Sequence, residues 1–257
     1  MSGTLRFLAV AWWLHLKSRS RSAFDGLLSV VWPLFFATAV LLMYRAGNAG
    51  DATLVAAVVG AAAMGVWSAT TLASSSIEEE RAQGTLELQV GAPRSFTIQL
   101  IPIMLSMTTV GLYSLVAVFL WGRFVFGIEI VVASVPAFLV AIAVTVFSIA
   151  MLGFLLAVSA VRYRAAWALG AALELPIWLL CGFLVPVSAL PGWVQPLSWL
   201  LAPTWGVSAL RAAVAGHTAV DDLLRCLGLG VAYILIGAVQ SHRLVRSARR
   251  HATLALT

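Results

Sequence analysis

The sequence predicts an all-α polytopic membrane protein with six transmembrane helices, and three observations carry that prediction. Mean hydropathy is +0.99, with 61% of residues hydrophobic and only 10% charged; in soluble domains roughly half are apolar and a quarter charged. Uncharged runs recur at the length of about 20 residues that crosses roughly 30 Å of hydrocarbon. The basic residues gather on one side of those runs, the bias that orients membrane helices. In water so few charges could not cover this much apolar surface, and residues 1–257 are read as a single membrane domain.

Taken in order, residues 3–23 place Leu5, Leu8, Trp12 and Leu16 at helical spacing beside Arg6 and Lys17. That pattern predicts a helix lying in the cytoplasmic headgroup layer, and it lacks the small-residue cleavage site of a signal peptide. Spans are predicted at about 26–44, 53–75, 96–121, 131–160, 165–186 and 223–241. Tyr44, Trp121 and Trp167 stand near their ends, as interfacial aromatics do. Pro33, Pro102 and Pro136 kink or tune spans, while Ala61 and Gly65 form a close-packing face.

Both termini are placed in the cytoplasm. Arg6, Lys17, Arg19, Arg21, Arg81, Arg94, Arg162, Arg164, Arg243, Arg246, Arg249 and Arg250 then lie inside, and Arg45, Arg123, Arg211 and Arg225 outside. Twelve of the 16 basic residues on one side is the positive-inside pattern. The uncharged stretch 185–210 carries Pro186, Pro191, Pro196 and Pro203, each of which removes a backbone donor. It is read as short helices re-entering the outer leaflet, with Trp193, Trp199 and Trp205 at the interface. A seventh span would put the basic tail "HRLVRSARRH" outside.

Several function classes drop out. The net charge of +6 has no interleaved aromatic platform, so the basic residues read as topology determinants and not as a nucleic-acid surface. Cys181 and Cys226 define no disulfide framework, and His15, His217, His242 and His251 have no ligand partners at metal spacing. The one lysine, Lys17 in "LHLKS", follows no glycine-rich turn, so no phosphate-cradling loop can be built. An integral membrane enzyme would need a catalytic constellation at membrane depth, and none is visible. An ion-coupled secondary transporter would show several intramembrane ionisable groups and repeat symmetry between halves.

The acids are unevenly spread. Glu78, Glu79, Glu80 and Glu87 are four of the ten acidic residues and sit in one cytoplasmic segment, 76–93, beside Arg81. Ser76 with Glu79 fits a capping box, which predicts that a helix starts afresh there. Gly84 is its expected stop, and Gly91 and Pro93 punctuate the entry to the third span. Acids commonly serve only to solvate a loop; a net-negative amphipathic segment on the basic side of the protein reads instead as a docking surface. The other outlying acid is Glu174, in "GAALELPIW", roughly 13 Å deep at ~1.5 Å per residue. An unpaired carboxylate there costs about 2.5–3.5 kcal/mol, so Glu174 is read either as a packing acid or, with Pro176 beside it, as part of a translocation path.

Residues 78–93, "EEERAQGTLELQVGAP", resemble the cytoplasmic-loop signature of ABC type-2 transporter permeases of the daunorubicin and multidrug exporter kind. Glu80, Gly84, Thr85, Leu86, Glu87 and Pro93 match it, and Gln89 stands where the family has a leucine. Residues 182–211 resemble the family's outer segment, with Pro186, Leu190, Pro191, Trp193, Pro203 and Arg211 in order. The resemblance implies a permease that pairs with an identical or paralogous permease chain and docks ABC ATPase subunits, which bind ATP and Mg; this chain itself would hold no cofactor. It implies that Glu78, Glu79, Glu80, Arg81, Gly84, Thr85, Leu86, Glu87 and Pro93 couple the ATPase to the spans. The expected cargo is a hydrophobic or amphipathic drug, antibiotic or lipid, with polysaccharide or glycolipid export as the alternative. Fifteen arginines to one lysine point to a GC-rich bacterial source and hence a bacterial plasma membrane.

Overall fold

The computed structural model describes residues 3–20, 23–82, 95–160 and 166–251, and within those helices it leaves the side chains of 18–20, 23–26, 28–29, 72–82, 160, 166–171, 244–245 and 247–251 undescribed. The described residues are helical, without strands. They form α1 (Gly3–Ser20), α2 (Ala23–Ala46), α3 (Asp51–Ala82), α4 (Phe96–Phe124), α5 (Val135–Ala160), α6 (Ala166–Leu180), a 3₁₀ turn at Val187–Ala189, α7 (Gln195–Trp199), α8 (Ala202–Val214) and α9 (Val220–His251).

Four segments among the described residues are long and apolar enough to cross a bilayer: Asp51–Thr71, Phe96–Phe124, Val135–Ser159 and Val220–Arg243. Val30–Ala46 in α2 is a shorter apolar segment. At 15 residues, α6 is about 22 Å long, short of the roughly 30 Å that a full crossing needs. The prolines do break the 185–210 stretch, which is a 3₁₀ turn and short helices, with Pro203 in the first turn of α8.

α3 forms the centre. Val58, Val59, Ala61, Ala62, Ala63, Met64, Val66 and Trp67 are all buried, on every side of the helix, and α2, α4, α5 and α6 pack around it. Small residues permit that approach. A β-carbon on Gly65 would stand 2.8 Å from Ser114 Cβ, and one on Gly111 would stand 2.8 Å from the Val66 backbone. Gly65 thus does belong to a close-packing face, the one α3 shares with α4. In hydrocarbon, apolar burial does not by itself hold helices together, so close backbone packing and interhelical hydroxyl bonds matter more. Thr70 and Thr108 share such a bond at 2.9 Å, Trp121 Nε1 donates to Thr38 Oγ1 at 2.9 Å, and Ser148 Oγ donates to the Cys226 carbonyl at 2.9 Å. Cys181 and Cys226 are both buried free thiols.

The outward faces are apolar too. Leu224, Val231, Leu235 and Val239 are exposed along α9, as are Val31, Trp32, Phe35 and Met43 along α2. Lipid or another membrane chain covers such faces without a polar surface.

One expectation is corrected. No helix starts at Ser76: α3 runs unbroken from Asp51 through Ala82. No glycine or proline lies between Val66 and Ala82, so nothing interrupts the i→i−4 ladder, and a continuing helix already occupies the amides that a cap at Ser76 would satisfy. The helical repeat of the N-terminal segment is present as α1. Its Trp12 donates to Thr109 at 3.2 Å, a residue midway along α4, so α1 lies against the flank of that helix.

Tyr233 joins α9 to the α7–α8 corner. Its hydroxyl donates to the Leu200 carbonyl at 2.8 Å and accepts from the Ala202 N–H at 3.0 Å. Tyr233→Phe leaves both backbone groups unpaired. The expected result is a loss of about 1–3 kcal/mol, read as a lower melting temperature of the purified protein, with no change in its assembly.

Candidate functional site

The acidic segment, Glu174 and the 182–211 residues lie in three separate parts of the fold. Glu78, Glu79, Glu80 and Arg81 belong to the last turns of α3, and their backbone is helical. Gly84, Thr85, Leu86, Glu87 and Pro93 lie outside the described residues, as do Gln89 and Gly91. The chain resumes with α4 at Phe96. The part of α3 past Thr71 continues for eleven residues, about 16 Å, so the three consecutive glutamates are carried on the same rod whose other end fills the core.

Glu174 sits on α6 where the sequence put it, and its surroundings are specific. One stripe of α6 runs inward: Ile177, Trp178 and Cys181 are buried at offsets of three, four and seven residues from Glu174. The opposite stripe, Ala172, Leu175, Pro176 and Leu179, is exposed. Helical geometry therefore separates the two residues grouped as a translocation path: Glu174 turns toward α3 and Pro176 turns away. The Ser68 hydroxyl of α3 donates a short hydrogen bond to Glu174 Oε1. Among the described residues Glu174 forms no ion pair, the pair there being Arg123 with Glu129 at the other end of the bundle.

α2 completes the surroundings. Phe36 meets Trp178 edge-on at 4.8 Å, and Trp32 meets Phe36 at 5.1 Å. Nearer the α2 C-terminus, Tyr44 donates to the Leu184 carbonyl at 2.8 Å, so α2 runs parallel to α6. Stepping back four residues from Phe36 reaches Trp32, and four back from Trp178 reaches Glu174. Both steps are about 6 Å, and Trp32 and Glu174 share one level. Trp32 is 56% exposed, and Glu174 is half-buried. Ser68 and Trp32 carried no signal by themselves in the sequence; only the packing of α2, α3 and α6 brings the Ser68 hydroxyl onto the acid and sets Trp32 at its level.

At the other end, Arg211 of α8 is held inside the protein and not in a solvated loop. Its guanidinium donates to the Gly182 carbonyl at 2.7 Å and the Ala56 carbonyl at 3.2 Å, joining the end of α6 to α3. Gly60 leaves room for this junction, since a β-carbon there would stand 2.0 Å from the Phe183 carbonyl oxygen and 2.9 Å from the guanidinium. Arg45 likewise donates to the Phe126 carbonyl and lies over its ring at 5.2 Å. Of the other residues singled out in 182–211, Pro186, Pro191 and Trp193 are exposed, Pro203 is buried, and the Leu190 carbonyl accepts from Gln195 at 3.0 Å. Trp205 donates to the Trp199 carbonyl and lies beneath Arg225 at 4.6 Å. The 182–211 segment is a set of carbonyls clamped by side chains from α2, α8 and α9.

A family model described as ABC-2 type transporter matches residues 6–214, more than half of the chain. The match begins in α1 and ends on the last residue of α8, so it takes in the acidic segment, Ser68, Glu174 and Arg211. No curated protein matches the sequence.

Proposed function

The chain belongs to the ABC-2 type transporter family, as the membrane, transporting component of an ABC transporter, and from that premise we propose that it is the permease of an ATP-driven exporter. In this reading ABC ATPase subunits dock on Glu78, Glu79, Glu80, Arg81 and the following Gly84–Pro93 segment. They bind the ATP and Mg, since this chain has no glycine-rich loop leading to lysine and a hydroxyl residue. A second permease chain, identical or paralogous, covers part of the apolar outer faces and encloses the path with lipid around it. The path includes the Glu174 level. Six crossings with both termini in the cytoplasm of a bacterial cell agree with the charge bias, with α6 and the segment after it forming the fifth.

The observation that best supports this reading is the continuity of α3. An acidic run on a flexible loop would transmit little. Here three glutamates extend a helix whose other half is the buried centre of the bundle. Movement of a docked motor would reach Ser68–Glu174 and Ala56–Arg211 without a joint between. The cargo fits a hydrophobic or amphipathic molecule better than a polymer, because the outer connections, the segment between α6 and α9 included, pack onto the bundle as short helices and offer a polymer no dedicated domain; polysaccharide or glycolipid export is the second reading.

Co-purification tests the docking. The wild-type chain, purified from its native membrane in mild detergent, should retain an ATP-hydrolysing chain. Reversal of Glu79, Glu80 and Glu87 to lysine should release it, with retained ATPase activity falling by roughly tenfold or more, as expected when several like charges face a complementary partner. Undiminished retention by the triple variant would remove the acids from the interface.

A further inference from the structure

We propose that the Glu174 niche receives the positively charged head of an amphipathic organic cation. This inference rests on the permease reading and gives its cargo a charge. Three helices build the niche. α6 supplies the carboxylate, α3 supplies the Ser68 hydroxyl that fixes Oε1, and α2 supplies the exposed Trp32 ring at the same level. A carboxylate in the apolar layer needs a counter-charge or a proton, and among the described residues no cationic side chain pairs with it. Ser68 donates one hydrogen bond, which orients the group but does not neutralise it. Glu174 itself remains partly accessible.

What fits there must bring positive charge and carry apolar bulk. A carboxylate beside an indole face is the combination that selects ammonium and other organic cations, since the ring presents its negative quadrupole where the carboxylate presents its charge. The exposed Trp32 and Phe35 rings of α2 supply apolar walls that select bulk. A small inorganic cation would gain nothing from those walls. An organic anion would meet the carboxylate.

Ser68 is then a positioning residue. The Thr71 hydroxyl bonds to the Ser68 carbonyl at 2.9 Å one turn along α3, so the donor stands on a fixed segment of the central rod. Any displacement of α3 along its axis shifts the hydroxyl relative to the carboxylate. The strength with which the niche holds its cation is thereby tied to the position of α3.

Two probes of matched shape and opposite charge test the proposal: tetraphenylphosphonium and tetraphenylborate, by equilibrium dialysis against the full chain in phosphatidylcholine vesicles, with protein-free vesicles as blank. Tetraphenylphosphonium should bind saturably and tetraphenylborate should not. Glu174→Gln should weaken cation binding roughly tenfold, the ratio that about 1.4 kcal/mol represents, and Glu174→Asp should keep part of the affinity. Trp32→Leu and Ser68→Ala should each weaken it by a smaller factor. Equal cation affinity in wild type and Glu174→Gln, saturable binding of the borate, or no saturable binding of the phosphonium would overturn the proposal. Should Glu174→Gln fail to fold, Trp32→Leu decides the matter, since that side chain is largely exposed and unchanged affinity there removes the ring from the site. The readout needs no ATPase. A chain that retains its ATPase but ignores the cation sinks this inference alone, whereas one that binds the cation and retains no ATPase sinks the exporter reading and leaves the site.

Discussion

Ser75→Pro is expected to stop transport while leaving the ATPase chain bound. Ser75 lies in α3 between the last crossing residue, Thr71, and the first of the glutamates, Glu78. Proline there removes an N–H from the i→i−4 ladder and its ring clashes with the preceding turn, at a cost of about 3 kcal/mol in a helix interior. The docking acids and the buried core would both survive, because neither includes that position. What is lost is the rigid connection. Transport into inverted vesicles should fall by roughly tenfold or more, since about 1.4 kcal/mol of coupling already corresponds to a factor of ten. Co-purified ATPase should stay near wild type, and its hydrolysis should no longer respond to cargo. Wild-type transport by Ser75→Pro would show that α3 is not the transmitting element, and loss of the ATPase would show that the proline had disrupted docking itself. Ser75→Ala keeps the ladder and should behave as wild type.

Gly60→Ala is expected to be the most destabilising single methyl group in the described part of the protein. The added carbon would meet the Phe183 carbonyl oxygen at 2.0 Å, far inside contact distance, and backbone cannot rotate out of the way as a side-chain tip can. The Arg211 guanidinium lies 2.9 Å from the same point, so the shift that relieves the clash also disturbs its bonds to Gly182 and Ala56. Overpacking of this kind costs typically 1–3 kcal/mol, and losing a charge-assisted bond adds about as much again. Reduced yield of folded protein and a clearly lower melting temperature should follow. By contrast, Gly192→Ala should be silent, as nothing lies within 4 Å of a β-carbon there. Equal melting of the two variants would mean that the α3–α6–α8 junction tolerates separation and that Arg211 is not its clamp.

These predictions concern residues that differ in how readable they were. The acid run and the mid-membrane glutamate stood out because charge is scarce in this composition, and each unusual residue needed a reason. The break at 185–210 was legible for a similar reason, since proline acts on its own backbone whatever surrounds it. The helix restart at Ser76 was misread because a capping box is a local pattern, and the same residues serve equally well inside a continuing helix. Grouping Glu174 with Pro176 followed their nearness in sequence, yet two residues along a helix is more than half a turn, and they face opposite ways.

Sequence alone determined that this chain is helical, apolar and lipid-embedded, that its acids cluster at one place, and that it resembles one transporter family. Those properties follow from composition and from patterns along one strand of chain, where hydropathy, charge bias and proline act locally. Only the tertiary structure decided that α3 is the central rod, that Arg211 turns inward to join α6 to α3, and that Ser68 bonds to Glu174 with Trp32 at the same level. In a bilayer nearly every helix is apolar on all sides, so the periodicity that tells an inner face from an outer one in water is missing. Which faces meet is then settled by shape, by single glycines and hydroxyls, and those become visible only when the helices are packed.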